Sequence, residues 1–219
     1  MLRILLLSDI HFIHCEDDEN DYRSLETAFV EAMDDVRDSG GVNQILICGD
    51  IANWGKEEEY NTAEVFLQSI LNRLECDERR TQIYVVPGNH DVDRSVNALT
   101  RRAWRDTLLD LTTADDFIKQ AKHKELDTLR TIYSPFEAYH KFANKHSSAD
   151  AVAVGILSGS NNYNNMSFRK EVDLGMLDNY LVRLHCLNSA LLCDKEDVND
   201  PRSIKDGEHK LYIPRFAYN

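Results

Sequence analysis

Three short apolar runs, each stopped by a polar cluster, constrain this chain most. Arg3-Ile4-Leu5-Leu6-Leu7 runs into Ser8-Asp9-Ile10-His11. Gln44-Ile45-Leu46-Ile47-Cys48 runs into Gly49-Asp50, and Gln82-Ile83-Tyr84-Val85-Val86 into Pro87-Gly88-Asn89-His90-Asp91. Continuous apolar runs bounded by turn formers are the pattern of strands buried on both faces. Between the runs, Leu25, Phe29, Met33 and Val36 recur at three- and four-residue steps, as do Ala63, Leu67, Ile70, Leu71 and Leu74. Each set shares one side of a helix, and Ser39-Gly40-Gly41 closes the first. The order β-α-β-α-β predicts an α/β fold with a parallel sheet and right-handed connections.

The 219 residues suit one domain, 1–219, at ~100–200 residues per domain. Residues 93–149 are charged and helical in pattern and are expected to form a helical insertion or cap. Trp104, Leu108 and Leu111 lie on one stripe, and Leu129, Ile132, Tyr133, Phe136 and Tyr139 on another, with Pro135 set to start, kink or break the second helix. Ser158-Gly159-Ser160-Asn161-Asn162 reads as a loop, followed by strands at Ser167–Leu174, Tyr180–Leu187 and Lys210–Ile213.

Net charge decides between partners. With 25 Lys+Arg against 38 Asp+Glu, a charge of −13 repels phosphate backbones, so broad nucleic-acid binding is disfavoured. Phosphorylated substrates stay open, because a metal ion in a pocket reverses the local field. The early apolar run Leu2–Leu7 is too short for a membrane span and has no small-residue cleavage site, so neither a signal peptide nor an anchor is expected. Five Cys, an odd number with no Cys-x-x-Cys, are expected as reduced, buried thiols of a cytoplasmic protein.

In a parallel sheet the three polar clusters lie on one edge, beyond the carboxyl ends of the strands, where open α/β sheets bind ligands. Asp-x-His alone also suits a turn or a helix cap, and Gly-Asp alone suits a turn. Gly88-Asn89-His90-Asp91 is harder to explain so, because a plain turn has no use for His followed by Asp. Carboxylate oxygen with imidazole nitrogen favours Mn, Fe or Zn over Ca. Asp50, on the middle run, can bridge two ions ~3.5–4 Å apart, an arrangement that can hold a hydroxide nucleophile and stabilise a phosphoryl oxygen. His90 can donate a proton to a leaving alkoxide, with Asp91 orienting it.

Ser8-Asp9-Ile10-His11, Gly49-Asp50-Ile51-Ala52 and Pro87-Gly88-Asn89-His90-Asp91 together resemble, in order and spacing, the first three motifs of the calcineurin-like metallophosphoesterase family. Gly55-Lys56-Glu57-Glu58-Glu59-Tyr60 and Val92-Asp93-Arg94 look like bacterial members. Leu187-Asn188-Ser189-Ala190 resembles a loop in some members, including ones fused to larger signalling or defence NTPases. The resemblance implies a β-sandwich flanked by helices, with hydrolysis of phosphomonoesters or phosphodiesters by a metal-activated hydroxide at the sheet edge. It implies Asp9 and His11 on the first ion, Asp50 bridging both, Asn89 on the second, and His90 facing the leaving group with Asp91 behind it. Two divalent ions (Mn, Fe or Zn) are the implied cofactors, and a phosphorylated small molecule or nucleotide the substrate.

Two later family motifs, a His after a strand and Gly-His-x-His, have no counterpart here. His185 and His209 are weak replacements. The expectation is therefore a carboxy-terminally truncated form with a weak second metal site, and an open sheet edge that favours a partner chain or a homo-oligomer. The alternative function is a catalytically incomplete binding or regulatory module, or a fragment of a larger signalling, defence or nuclease protein.

Overall fold

In the computed structural model, β1 (Ile4–Leu7) pairs in parallel with β2 (Gln44–Cys48), and β2 in parallel with β3 (Gln82–Val86). The sheet order is β1-β2-β3. The residues described are 2–13, 19–76, 81–100, 116, 133–146 and 169–190, with side chains from residue 26 in the first helix and 171 in the fourth strand. The crossovers are helices α1 (Glu19–Asp38) and α2 (Glu57–Arg73). The expected parallel α/β arrangement is therefore present.

Alternation along the strands divides the sheet into two faces. Leu5, Leu7, Ile45, Ile47, Ile83 and Val85 point into the main core, together with Met33 of α1 and Ala63, Phe66, Leu67 and Ile70 of α2. The other face carries Leu46, Tyr84 and Val86. Against it pack Val172, Leu174, Leu184 and Cys186 of a hairpin formed by β4 (Arg169–Leu177) and β5 (Tyr180–Leu187). Outward positions of the hairpin are charged, with Arg183 Nε 2.6 Å from Asp173 Oδ1 and His185 Nδ1 3.3 Å from Glu171 Oε1.

Several sequence expectations change at their edges. The fourth strand covers Arg169–Leu177 rather than Ser167–Leu174, because Asp178 and Asn179 (φ 47° and 71°) supply the two left-handed residues of a tight hairpin turn. β1 is not buried on both faces: Ile4 is 43% and Leu6 62% exposed. The hairpin covers β2 and β3 but leaves β1 open among the described residues. Cys186 is buried as expected, whereas Cys48, at a strand end, is exposed. The strand expected at Lys210–Ile213, the loop at Ser158–Asn162, and Trp104, Leu108, Leu111, Leu129 and Ile132 lie outside the described residues.

The described end of the 93–149 stretch joins the main core. Pro135 sits in a short 3-10 turn, Ser134–Phe136, and α3 (Glu137–His146) starts directly after it, as the fixed φ of proline favours. Tyr133, Phe136 and Tyr139 are fully buried, and the Tyr139 hydroxyl donates to the Val85 carbonyl at 3.1 Å.

His140 is the odd member of this core. Its ring lies among Tyr133, Phe136 and Tyr139, with centroids 6.3, 6.1 and 5.4 Å away. Neither ring nitrogen has a hydrogen-bond partner. Burial pushes its pKa from 6.5 down to about 4. The unfolded chain therefore takes up the proton first as pH falls, and stability is lost between pH 6.5 and about 4. That window corresponds to on the order of 3 kcal/mol. His140→Phe should be more stable than wild type at pH 4.5 and differ less at pH 7.5, as read by urea unfolding at both pH values. Other titrating groups are common to both proteins and drop out of the difference.

Candidate metal centre

The ladder between β1 and β2 continues past the strand ends. Asp9 N–H donates to the Gly49 carbonyl (3.2 Å), His11 N–H to Asp50 (2.9 Å), Phe12 N–H to Ile51 (2.8 Å), and Asn53 N–H back to Phe12 (3.1 Å). The two loops are thus zipped together by backbone. Asp9, His11 and Asp50 all have left-handed φ, 55°, 54° and 51°. Such turns cost on the order of 1 kcal/mol each in an L-residue and persist where the surroundings enforce them.

The loops after β2 and β3 approach more closely still. A Cβ on Gly49 (φ 91°) would fall 2.5 Å from the Gly88 nitrogen, and one on Gly88 would fall 2.2 Å from Asp50 Oδ1. Both motif glycines are there because the two backbones touch. This contact lets Asp50 Oδ1 accept the His90 N–H at 2.8 Å.

Asp91 completes the junction and is fully buried. Its Oδ1 accepts from the Ile51 and Ala52 N–H groups, each at 3.0 Å, and from the Tyr60 hydroxyl at 2.7 Å. Its Oδ2 accepts from the Gly88 N–H at 2.9 Å. Burial pushes the carboxyl up to about 6, against the pull of the Gly88, Ala52 and Tyr60 donors. Burial, and after it the Asp91 charge, push the Tyr60 hydroxyl far above its ordinary range, so it stays a donor.

The sequence reading placed Asp91 behind His90. The structure turns its carboxylate toward the loop after β2 instead. His90 Nδ1 lies 2.9 Å from the Asn53 carbonyl. A carbonyl only accepts, so Nδ1 carries the proton and Nε2 is left to act. The His90 and His11 rings meet edge to face, with centroids 4.4 Å apart at 89°. His11 Nε2 is 3.9 Å from Asp50 Oδ2. One ligand atom each from His11, Asp50 and His90 lie within 4.8 Å of one another.

That spacing tests the fit of a cation. Neighbouring ligands at ~2.1 Å bonds are ~3.0–3.4 Å apart, and His11 Nε2 and Asp50 Oδ2, at 3.9 Å, come near that spacing with His90 beside them. The imidazole nitrogen of His11 and the carboxylate oxygen of Asp50 suit a transition-type ion. Asp9 does not belong to this group of three, and its Oδ2 accepts from Ser8 Oγ. Asn89 opens the short turn Asn89–Asp91, and its carbonyl accepts from Arg94 Nη2 at 2.9 Å. His185, half-exposed beside Glu171, is outside the group, and His209 is not among the described residues.

Three supporting residues escaped the sequence reading. Asn53 acts through its carbonyl, which no side-chain pattern reveals. Glu59, buried, accepts from the Trp54 and Lys56 N–H groups at 3.0 and 2.9 Å and so caps α2. Its place three residues after Lys56 is the capping position and could have exposed it. Tyr60 follows Glu59 and stood in the sequence only as part of the Gly55–Tyr60 stretch, with no role attached.

Asp91→Asn should lower the unfolding free energy by about 2–4 kcal/mol, since the amide cannot accept from all four donors. Tyr60→Phe removes one donor and should cost about 1–2 kcal/mol. Urea midpoints at constant slope check both, with the larger loss in Asp91→Asn.

The calcineurin-like phosphoesterase family matches residues 2–201 of the chain. No curated protein matches it significantly.

Proposed function

The chain belongs to the calcineurin-like phosphoesterase family, and we propose that it hydrolyses phosphomonoesters or phosphodiesters at a dinuclear metal site on the rim of β1–β3. The observation that carries this reading is the convergence of His11, Asp50 and His90, from three separate loops, within 4.8 Å. In this reading Asp9, His11, Asp50 and Asn89 would hold the ions. Divalent ions there would lower the pKa of a water toward neutrality and offset charge on the phosphoryl oxygens.

The chain's own groups then have distinct tasks. Asp50 commits Oδ1 to the His90 N–H and keeps Oδ2 toward His11. His90, held by the Asn53 carbonyl through Nδ1–H, would in its doubly protonated form give the Nε2 proton to the leaving alkoxide. Asp91 positions both by fixing the loops that carry them.

The charge of −13 favours a phosphorylated small molecule or nucleotide over long nucleic acid. Free Cys48, Cys76 and Cys186 support a cytoplasmic placement. No described helix is long and apolar enough to cross a membrane. The hairpin packed on Leu46, Tyr84 and Val86 supports the two-sheet arrangement that the resemblance implies.

A second reading, a catalytically incomplete binding or regulatory module, is favoured by Asp9 lying outside the group of three. Metal content by mass spectrometry separates the two: two tightly held ions support the hydrolase.

With Mn added, the chain should hydrolyse bis-p-nitrophenyl phosphate or p-nitrophenyl phosphate, and a chelator should abolish turnover reversibly. His90→Ala should reduce kcat by about 10²–10⁴ with metal content retained. Asp50→Ala should lose metal and activity together.

A further inference from the structure

A cavity of about 510 Å³ opens beside the candidate metal centre, with Asp9 and His11 in its lining. Its size falls within the ~300–1,000 Å³ of small-molecule sites. Phe12, Phe29 and Phe66 form its aromatic wall. Phe12 and Phe66 are 2% and 6% exposed, and meet edge to face with centroids 5.3 Å apart. Phe29 leans on Phe66 at 5.6 Å and 42°. Two of the three rings are therefore fixed in the core, while Phe29, from α1, is only partly buried. Glu26, one helical turn before Phe29, also lines the cavity.

Resting on the proposed phosphoesterase reading, we infer that this cavity is the subsite for the organic group of the substrate, and that this group is an uncharged aromatic ring. A phosphoryl group at His11 and Asp50 would leave its ester substituent beside Phe29, which Phe66 and Phe12 back from the core. Flat rings gain from offset or edge-to-face contact with such a wall. Glu26 borders the same space, so a second phosphate or a carboxylate on the substrate is repelled. The site therefore selects aryl-type phosphoesters over oligophosphates and acidic phosphoesters.

The test uses isothermal calorimetry on the full 219-residue chain loaded with Mn, with phenylphosphonate, methylphosphonate and 4-phosphonobenzoate as probes. Phenylphosphonate should bind about tenfold tighter than methylphosphonate. Phe29→Ala should remove most of that preference and leave methylphosphonate affinity unchanged. Phe29→Leu, which keeps apolar volume, guards against loss of fold and should also weaken phenylphosphonate selectively. 4-Phosphonobenzoate should bind more weakly than phenylphosphonate, and Glu26→Gln should narrow that gap.

Equal affinity for phenyl- and methylphosphonate overturns the aromatic subsite alone. So does a Phe29 variant that weakens both probes alike. Failure of every phosphonate to bind, with no Mn retained, overturns the reading of the metal centre and this inference with it.

Discussion

One buried carboxylate holds the candidate centre in shape. Asp91 collects four donors from three places: the loop after β2, the start of its own loop, and the first turn of α2. Carboxylates buried away from water are stable only when so saturated. The result is a junction in which the loops carrying Asp50 and His90 cannot move apart without stranding polar groups. The His90 ring inherits its place from that junction, through the Asn53 carbonyl and the Asp50 hydrogen bond to its backbone. Asp91 thus serves the site without any contact of its own to the His90 side chain.

The layers of the fold explain why the polar loops gather where they do. Helices α1, α2 and α3 pack on one face of the parallel sheet, and the hairpin packs on the other over β2 and β3. The carboxyl edge is left for loops. Strand pairing extended beyond β1 and β2 makes those loops stiff, and left-handed turns at Asp9, His11 and Asp50 aim their side chains. Strain concentrated at three candidate ligands, and held by a surrounding ladder, is the usual signature of a preorganised site.

Much of this was legible from the residues, and the gaps have physical causes. Parallel strands betray themselves as unbroken apolar runs, so β1, β2 and β3 were readable, as were α1 and α2 from their stripes. Burial was less so: the run Ile4–Leu7 reads as doubly covered, yet Ile4 and Leu6 are exposed, and among the described residues the hairpin packs over β2 and β3 alone. The end of β4 was misplaced because Asp178-Asn179 forms a turn by φ angle, which composition only suggests. Within the site, residue types pointed to Asp9, His11, Asp50 and Asn89 as ligands, with His90 and Asp91 as catalytic groups; of these, His11, Asp50 and His90 lie within 4.8 Å of one another, and Asp9 is outside that group. The partner of Asp91 was misjudged, since adjacency in sequence to His90 suggested a contact that a folded backbone replaces with Ile51, Ala52, Gly88 and Tyr60.

The strand alignment itself has a consequence for chemistry. Leu7 stands beside Ile47, and Cys48 beside Val86, so each loop leaves the sheet at the same height. If β2 slipped by a single residue along either neighbour, Asp50 would travel ~3.3 Å and its pleat would invert. Ile45 and Ile47 would turn away from the helices, and Leu46 toward them. The apolar pattern of the middle strand therefore acts as a gauge: by forbidding that slip, side chains far from any substrate set where the carboxylate of Asp50 comes to rest.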